Sequence, residues 1–209
     1  MKSVAAVAVV AAVLAACSVP GEPVREVDLA VKAAPSDAFQ YGPGLSVPAT
    51  SVLTDVTLRP QRAENNPREC TPAPVDPSTA QARVGPGGPA GGTLTAVVVR
   101  ASDTFDEFVA QVKRCAEFTL GGTVGTTVST RVDAEEPAGT IAMERRLLMG
   151  PQSPESTPPT TSITEFVAQQ GDIRVYVQNR RSGEAALGAE ELEATRKLFA
   201  AAQASAFAS

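Results

Sequence analysis

Two hundred and nine residues, 43% of them hydrophobic, are enough for one medium domain with a buried core, and they exclude a disordered polymer. Trp is absent and aromatic residues make up 4%, so the core has to be built from Val, Leu, Ile and Ala with a few Phe. A net charge of −5 argues against a general nucleic-acid binder, which needs a basic face. The absence of His excludes Ser-His-Asp and Cys-His catalysis as well as histidine metal sites.

Residues 1–16, MKSVAAVAVVAAVLAA, carry one charge at Lys2 and then an apolar run too short for a stable membrane span, which reads as a signal peptide. Leu14-Ala15-Ala16-Cys17 resembles the bacterial lipobox, in which the cysteine thiol takes a diacylglyceryl group before cleavage leaves it as the first residue. Cys17 is therefore the expected lipidation site, the alternative being an ordinary signal peptide with an incidental cysteine. Residues 17–35, with Pro20, Gly21 and Pro23, read as a lipidated tether. A single domain is expected over residues 36–209.

Phe39, Tyr41 and Leu45 sit among Gly42, Pro43 and Gly44 and are expected to plug an edge of the core. Residues 52–59 alternate Val52, Thr54, Val56 and Leu58 against Leu53, Asp55 and Thr57, which reads as a first strand. Across residues 62–92 proline and glycine are so dense that neither helix nor strand is expected to persist. The run at 85–92 formally holds a dinucleotide-type glycine fingerprint. It is broken by proline and precedes a strand instead of following one, so a hairpin or surface loop is the better reading.

Residues 93–120 form the centre. Thr93-Leu94-Thr95-Ala96-Val97-Val98-Val99-Arg100 is β-branched and apolar, and after Ser102-Asp103-Thr104 the residues Phe105, Phe108, Val109, Val112, Cys115 and Ala116 recur at intervals of three and four. Strand followed by amphipathic helix is the reading, with Gly121-Gly122 as the helix stop. With Cys17 lipidated, two cysteines remain in an oxidising compartment, and the simplest arithmetic pairs Cys70 with Cys115; two free buried thiols are the alternative. Closing a loop of that length stabilises a fold by roughly 3 to 4 kcal/mol in the chain-entropy model.

Residues 123–132 and 139–148 read as two further strands, with a proline-rich connection over 150–159. Residues 162–168 and 172–181 read as a hairpin around Gln169-Gln170-Gly171. In its second strand Ile173, Val175 and Val177 form a dry face, and Arg174, Tyr176, Gln178 and Arg180 form a wet one. Residues 188–202 close the chain as a helix with Leu192, Thr195, Leu198, Phe199 and Ala202 inward and Glu190, Glu191 and Glu193 in the first turn. The order gives an α+β fold: a central antiparallel sheet with two main helices packed on one face and one disulfide.

Little in the chain equips it for catalysis. Asp103, Asp106 and Glu107 suit the helix dipole, Glu135-Glu136 suit a solvated turn before Pro137, and no Ser-x-x-Lys is present. Arg145, Arg146, Arg174, Tyr176 and Arg180 would form an anion-binding face if their strands are neighbours. A gap between sheet and helices would instead take an apolar ligand.

Lipobox, tether, Pro67-Arg68-Glu69-Cys70, the strand and helix ending at Cys115, and the late strand Gly171-Asp172-Ile173-Arg174-Val175-Tyr176-Val177 before a Leu-Phe helix together resemble mycobacterial envelope lipoproteins of unknown function. The domain of those proteins is similar to the extracellular sensor domain of actinobacterial serine/threonine protein kinases. The kinase sensors carry a tryptophan before the helix cysteine and a second disulfide; this chain has neither. The resemblance implies an α+β domain with a ligand-binding cleft and brings no catalytic residues. The expectation is an exported, non-enzymatic lipoprotein without cofactor, anchored to the outer face of the cell membrane through a diacylglyceryl (palmitate-type) group on Cys17. It would bind or sense a small ligand, apolar or anionic, or alternatively dock onto another envelope protein, and it would not bind nucleic acid.

Overall fold

The computed structural model describes residues 28–133, 137–150 and 159–208. The leader, Cys17 and the Glu135-Glu136 turn lie outside them. Eleven elements follow in order: β1 (Leu45–Val47), α1 (Leu53–Thr57), β2 (Val75–Pro86), β3 (Thr93–Ala101), α2 (Phe105–Arg114), β4 (Glu117–Leu120), β5 (Thr126–Val132), β6 (Thr140–Leu148), β7 (Thr160–Gln170), β8 (Ile173–Ser182) and α3 (Ala189–Ala206), with short 3-10 turns between some of them. The strands make one antiparallel sheet in the order β1-β2-β3-β8-β7-β6-β5-β4. Antiparallel sheet, helices and a disulfide are as the sequence implies.

The two long helices do not share a face. β3 is apolar on both sides, so each side has to be covered. Leu94, Ala96 and Val98 pack with Val175, Val177, Phe166 and the Leu198, Phe199, Ala202 and Ala206 stripe of α3. Val97 and Val99, one residue out of phase, pack with Tyr176, Val167, Met143 and the Phe108 and Val112 of α2. The sheet is thus the middle layer of three, with α3 beneath and α1 and α2 above.

Three local expectations fail for identifiable reasons. Residues 52–59 are not a strand: Leu53–Thr57 form the short helix α1, which ends on Leu58 in a left-handed conformation (φ 54°). Leu53 and Val56 bury into the upper core, and Leu58 packs beside the disulfide. β2 persists through the proline-rich stretch, because Pro77 falls in the register shift between Asp76 and Gln81 and Pro86 is the last paired residue. α2 stops at Arg114, not at Gly121: Ala116 O accepts from Thr130 N at 2.6 Å, and residues 117–120 pair with β5 as an edge strand. Gly121 and Gly122, both at positive φ, make the turn between β4 and β5.

Residues 29–34, expected to be tether, belong to the folded domain. Leu29 and Ala34 lie in the lower core against α3, and Ser205 Oγ donates to Ala33 O at 2.9 Å. Phe39 plugs the core edge as expected, seated between Gly44 and Gly85. Both sheet edges are blunted. β1 is three residues long between Pro43 and Pro48, and β4 is bridged on its outer side by Asn66.

Candidate functional site

Cys70 and Cys115 are joined, with S–S 2.08 Å and Cα–Cα 5.5 Å, and the bridge fastens the 58–74 segment to the C-terminal end of α2. Asn65, which sequence reasoning passed over, organises that segment. Its Nδ2 donates to Leu58 O (3.0 Å) and Cys70 O (2.8 Å), and its Oδ1 accepts from Gly121 N (3.2 Å).

Four of the five residues of the expected arginine face do share a side of the sheet, but it is the covered side. Registers run Arg145–Ile163–Arg180 across β6, β7 and β8, with Arg174 and Tyr176 further along β8. Arg146 points to the opposite face and is exposed. The face is not wet, since α1 and α2 roof it. Arg174 is 2% exposed: its guanidinium stacks 4.4 Å above Phe108, donates to Gln169 Oε1 (2.7 Å) and Tyr176 Oη (3.2 Å), and pairs with Asp103 (3.0 Å). Arg180 pairs with Asp55 of α1 at 3.0 Å. Arg145, 6% exposed, pairs with Glu165 at 3.0 Å. Each cation already has its carboxylate, so the cluster is a polar core and not an open anion face.

Burial raises the Glu165 carboxyl above its ordinary range against the opposing pull of Arg145, and burial likewise raises Tyr176. Below the sheet, Glu191 of α3 accepts from Arg181 Nη1 (3.2 Å), Gly188 N (3.1 Å) and Ala90 N (3.2 Å), linking helix start, β8 and the β2–β3 hairpin. Glu191 reads from sequence as a helix-dipole charge, and the structure adds this tertiary task. The carboxylates at the start of α2 are structural too: Asp103 holds Arg174, and Glu107 forms a capping box with Thr104 (2.8 and 3.3 Å). Among the described residues no group of three or more His, Cys, Asp or Glu side chains is placed to hold a metal.

The space beneath α2 is nearly filled. What remains is a crevice of about 20 Å³ beside the disulfide, room for about one water. An apolar ligand of any size does not fit there. The larger concavity lies outside the core, between α1 and the start of β2, and measures about 670 Å³, within the range of small-molecule sites. Thr50, Thr54 and Thr57 line it from the α1 side, Pro74, Val75 and Pro77 from β2 and the residues before it, and Arg59 contributes a cation whose guanidinium also donates to Pro72 O. Hydroxyls on a wall of mixed polar and apolar residues, with one arginine, suit a neutral or anionic ligand held by a few directed hydrogen bonds.

No helix among the described residues is long and apolar enough to cross a membrane. Compared with known proteins, the chain matches no family model and no curated sequence.

Proposed function

We propose that the chain is a non-catalytic, lipid-anchored protein of the outer face of the cell membrane that binds a small neutral or anionic ligand in the groove beside α1. The 670 Å³ groove carries the reading: it combines volume and hydroxyl groups with Arg59, which has no carboxylate partner among the ion pairs seen in the described residues. A smaller concavity of about 420 Å³ beside Thr93, Thr161 and Ser182 has only Arg180 and Arg181, already paired with Asp55 and Glu191, and the crevice beneath α2 is too small for a metabolite. The anchor rests on the lipobox-like segment at Cys17. Eleven peptide units separate Cys17 from Asp28, where the described chain begins, a reach of at most about 40 Å when extended. Docking through a sheet edge, the competing reading, has only a three-residue strand or a bridged one to use.

Two measurements test the parts separately. Metabolic labelling with an alkyne fatty acid is expected to mark the protein and to fail in Cys17→Ala; a label that survives the substitution refutes the anchor. Native mass spectrometry of the protein released gently from membranes is expected to show a bound small molecule that is lost in Thr54→Trp, where the indole fills the groove. Retention of the same species in that variant rules out the site.

A further inference from the structure

The crevice beneath α2 is too small for a metabolite, yet its lining is not that of a packing defect. Phe108, Val112, Phe118 and the Cys70–Cys115 bridge make most of it apolar, and Arg145 is its only charged side chain. Thr130, register partner of Arg145 on β5, brings a hydroxyl. Pro72, Gln111 and Thr130 are the half-buried members of the lining.

Arg145 is poorly satisfied for a buried cation. Nε and Nη2 donate to the Met143 thioether at 3.2 and 2.9 Å, a weak acceptor, and the one carboxylate at hand is Glu165, with Oε2 3.0 Å from Nε. Glu165 lies behind the guanidinium on the sheet, outside the crevice lining. Its Oε1 is buried without a donor, and so is Oε1 of Gln178, its register partner on β8. A buried carboxylate oxygen without a donor is costly, and a proton on Glu165 relieves that cost by making the group neutral. That proton removes the counter-charge of Arg145 and leaves a buried cation facing a water-sized space.

We propose that this crevice binds one small inorganic anion of halide size on Arg145, taken up together with a proton on Glu165. With Glu165 charged, an anion would add a second negative charge beside one guanidinium in a region of low dielectric, so binding is weak. With Glu165 neutral, the anion replaces it as the partner of Arg145. The other charged or titratable groups on this face are Arg174, Tyr176 and Arg180 of β8, Asp55 of α1 and Asp103 before α2, with Arg59 beyond the lining residue Pro72, to whose carbonyl it donates. Arg174 is committed to Asp103 and Arg180 to Asp55, and Arg59 is not part of the crevice lining, so Arg145 is the cation the anion meets. Tetrahedral oxyanions such as sulfate and phosphate exceed the space, which makes the site selective by size.

The test uses bromide and chloride on the mature full-length protein. In Glu165→Gln, which fixes the neutral state, crystals soaked in bromide at neutral pH are expected to show an anomalous peak against Arg145; wild type is expected to show it only when acidified, and Arg145→Met at no pH. In solution, replacing gluconate by chloride at constant ionic strength is expected to raise the unfolding midpoint of Glu165→Gln by roughly 3 °C per tenfold of chloride above the dissociation constant. Bromide-soaked crystals of acidified wild type with only water in the crevice overturn the proposal, and wild type decides the matter even where Glu165→Gln does not fold. So does a chloride effect that persists in Arg145→Met.

Discussion

Arg174 Nη2 stands 3.0 Å from Asp103 Oδ1, and through that pair the segment leading into α2 is fastened to β8. The same guanidinium stacks on Phe108 one turn into the helix, so one side chain of the sheet fixes both the start and the inner face of α2. The disulfide fixes its other end.

Breaking this latch is expected to be expensive. Arg174→Met leaves Asp103 without its partner and Gln169 Oε1 without its donor, a loss of about 3 kcal/mol in denaturant unfolding. Arg174→Lys is not expected to rescue it, because an ammonium cannot stack on Phe108 while serving Gln169, Tyr176 and Asp103 together. Full stability in the lysine variant would show that charge alone matters there.

Cys115→Ser opens a loop whose ends are 45 residues apart, which in the chain-entropy model costs about 4 kcal/mol. It also places a hydroxyl among Phe118, Val128 and Leu147. An unchanged midpoint under non-reducing conditions would contradict both the crosslink and its burial.

Glu165 sets a pH dependence of defined sign. Burial raises its folded value above the ordinary 4.5, so between 4.5 and that raised value the folded state holds more protons than the unfolded one, and stability falls as pH rises through this window. Glu107 works oppositely: hydrogen bonds from the backbone and side chain of Thr104 lower its carboxyl, so its contribution is lost as pH falls through that depressed value. Subtracting the chloride-free stability curve of Glu165→Gln from that of wild type isolates the first effect. The difference is expected to decline as pH rises above about 4.5; a flat difference would mean that Glu165 keeps an ordinary carboxyl.

Phe39 closes the core edge only because Gly44 and Gly85 leave room for its ring. A Cβ at Gly44 would lie 2.4 Å from Phe39 Cε2, and one at Gly85 2.7 Å from Cδ1. Gly85→Ala is expected to destabilise by about 2 kcal/mol through overpacking. Phe39→Leu in the same chain is expected to recover part of that loss, since its smaller side chain vacates the ring positions. Additive losses in the double variant would show that the two sites are independent.

The parts legible in the sequence are those where a periodicity and a burial requirement coincide. β3 and β8 read correctly because β-branched runs have little else to become, and the Phe105, Phe108, Val112 spacing gives α2. The end of α2 was hidden because Cys115 and Ala116 continue the helical spacing, while the partner that captures residues 116–120 lies on β5. The 52–59 stretch misled because alternation over eight residues also fits a short helix whose apolar residues divide between two clusters, Leu53 and Val56 in one and Leu58 in the other. Arg174, Tyr176 and Gln178 read as a wet face since alternation shows that a strand has two sides, not what covers each. The groove beside α1 had no sequence signal, because it is made by the separation of two segments and not by any residue pattern.

The central claim is that the small-molecule ligand binds beside α1, while the crevice beneath α2 has room for nothing larger than a halide-sized ion. Hydrogen–deuterium exchange on the protein, compared before and after incubation with a low-molecular-weight cell extract at constant chloride, tests it most directly. The expected result is slowed exchange confined to residues 50–63 and 74–77. Protection appearing instead over α2 or the 140–148 strand, with residues 50–63 unchanged, would contradict the account.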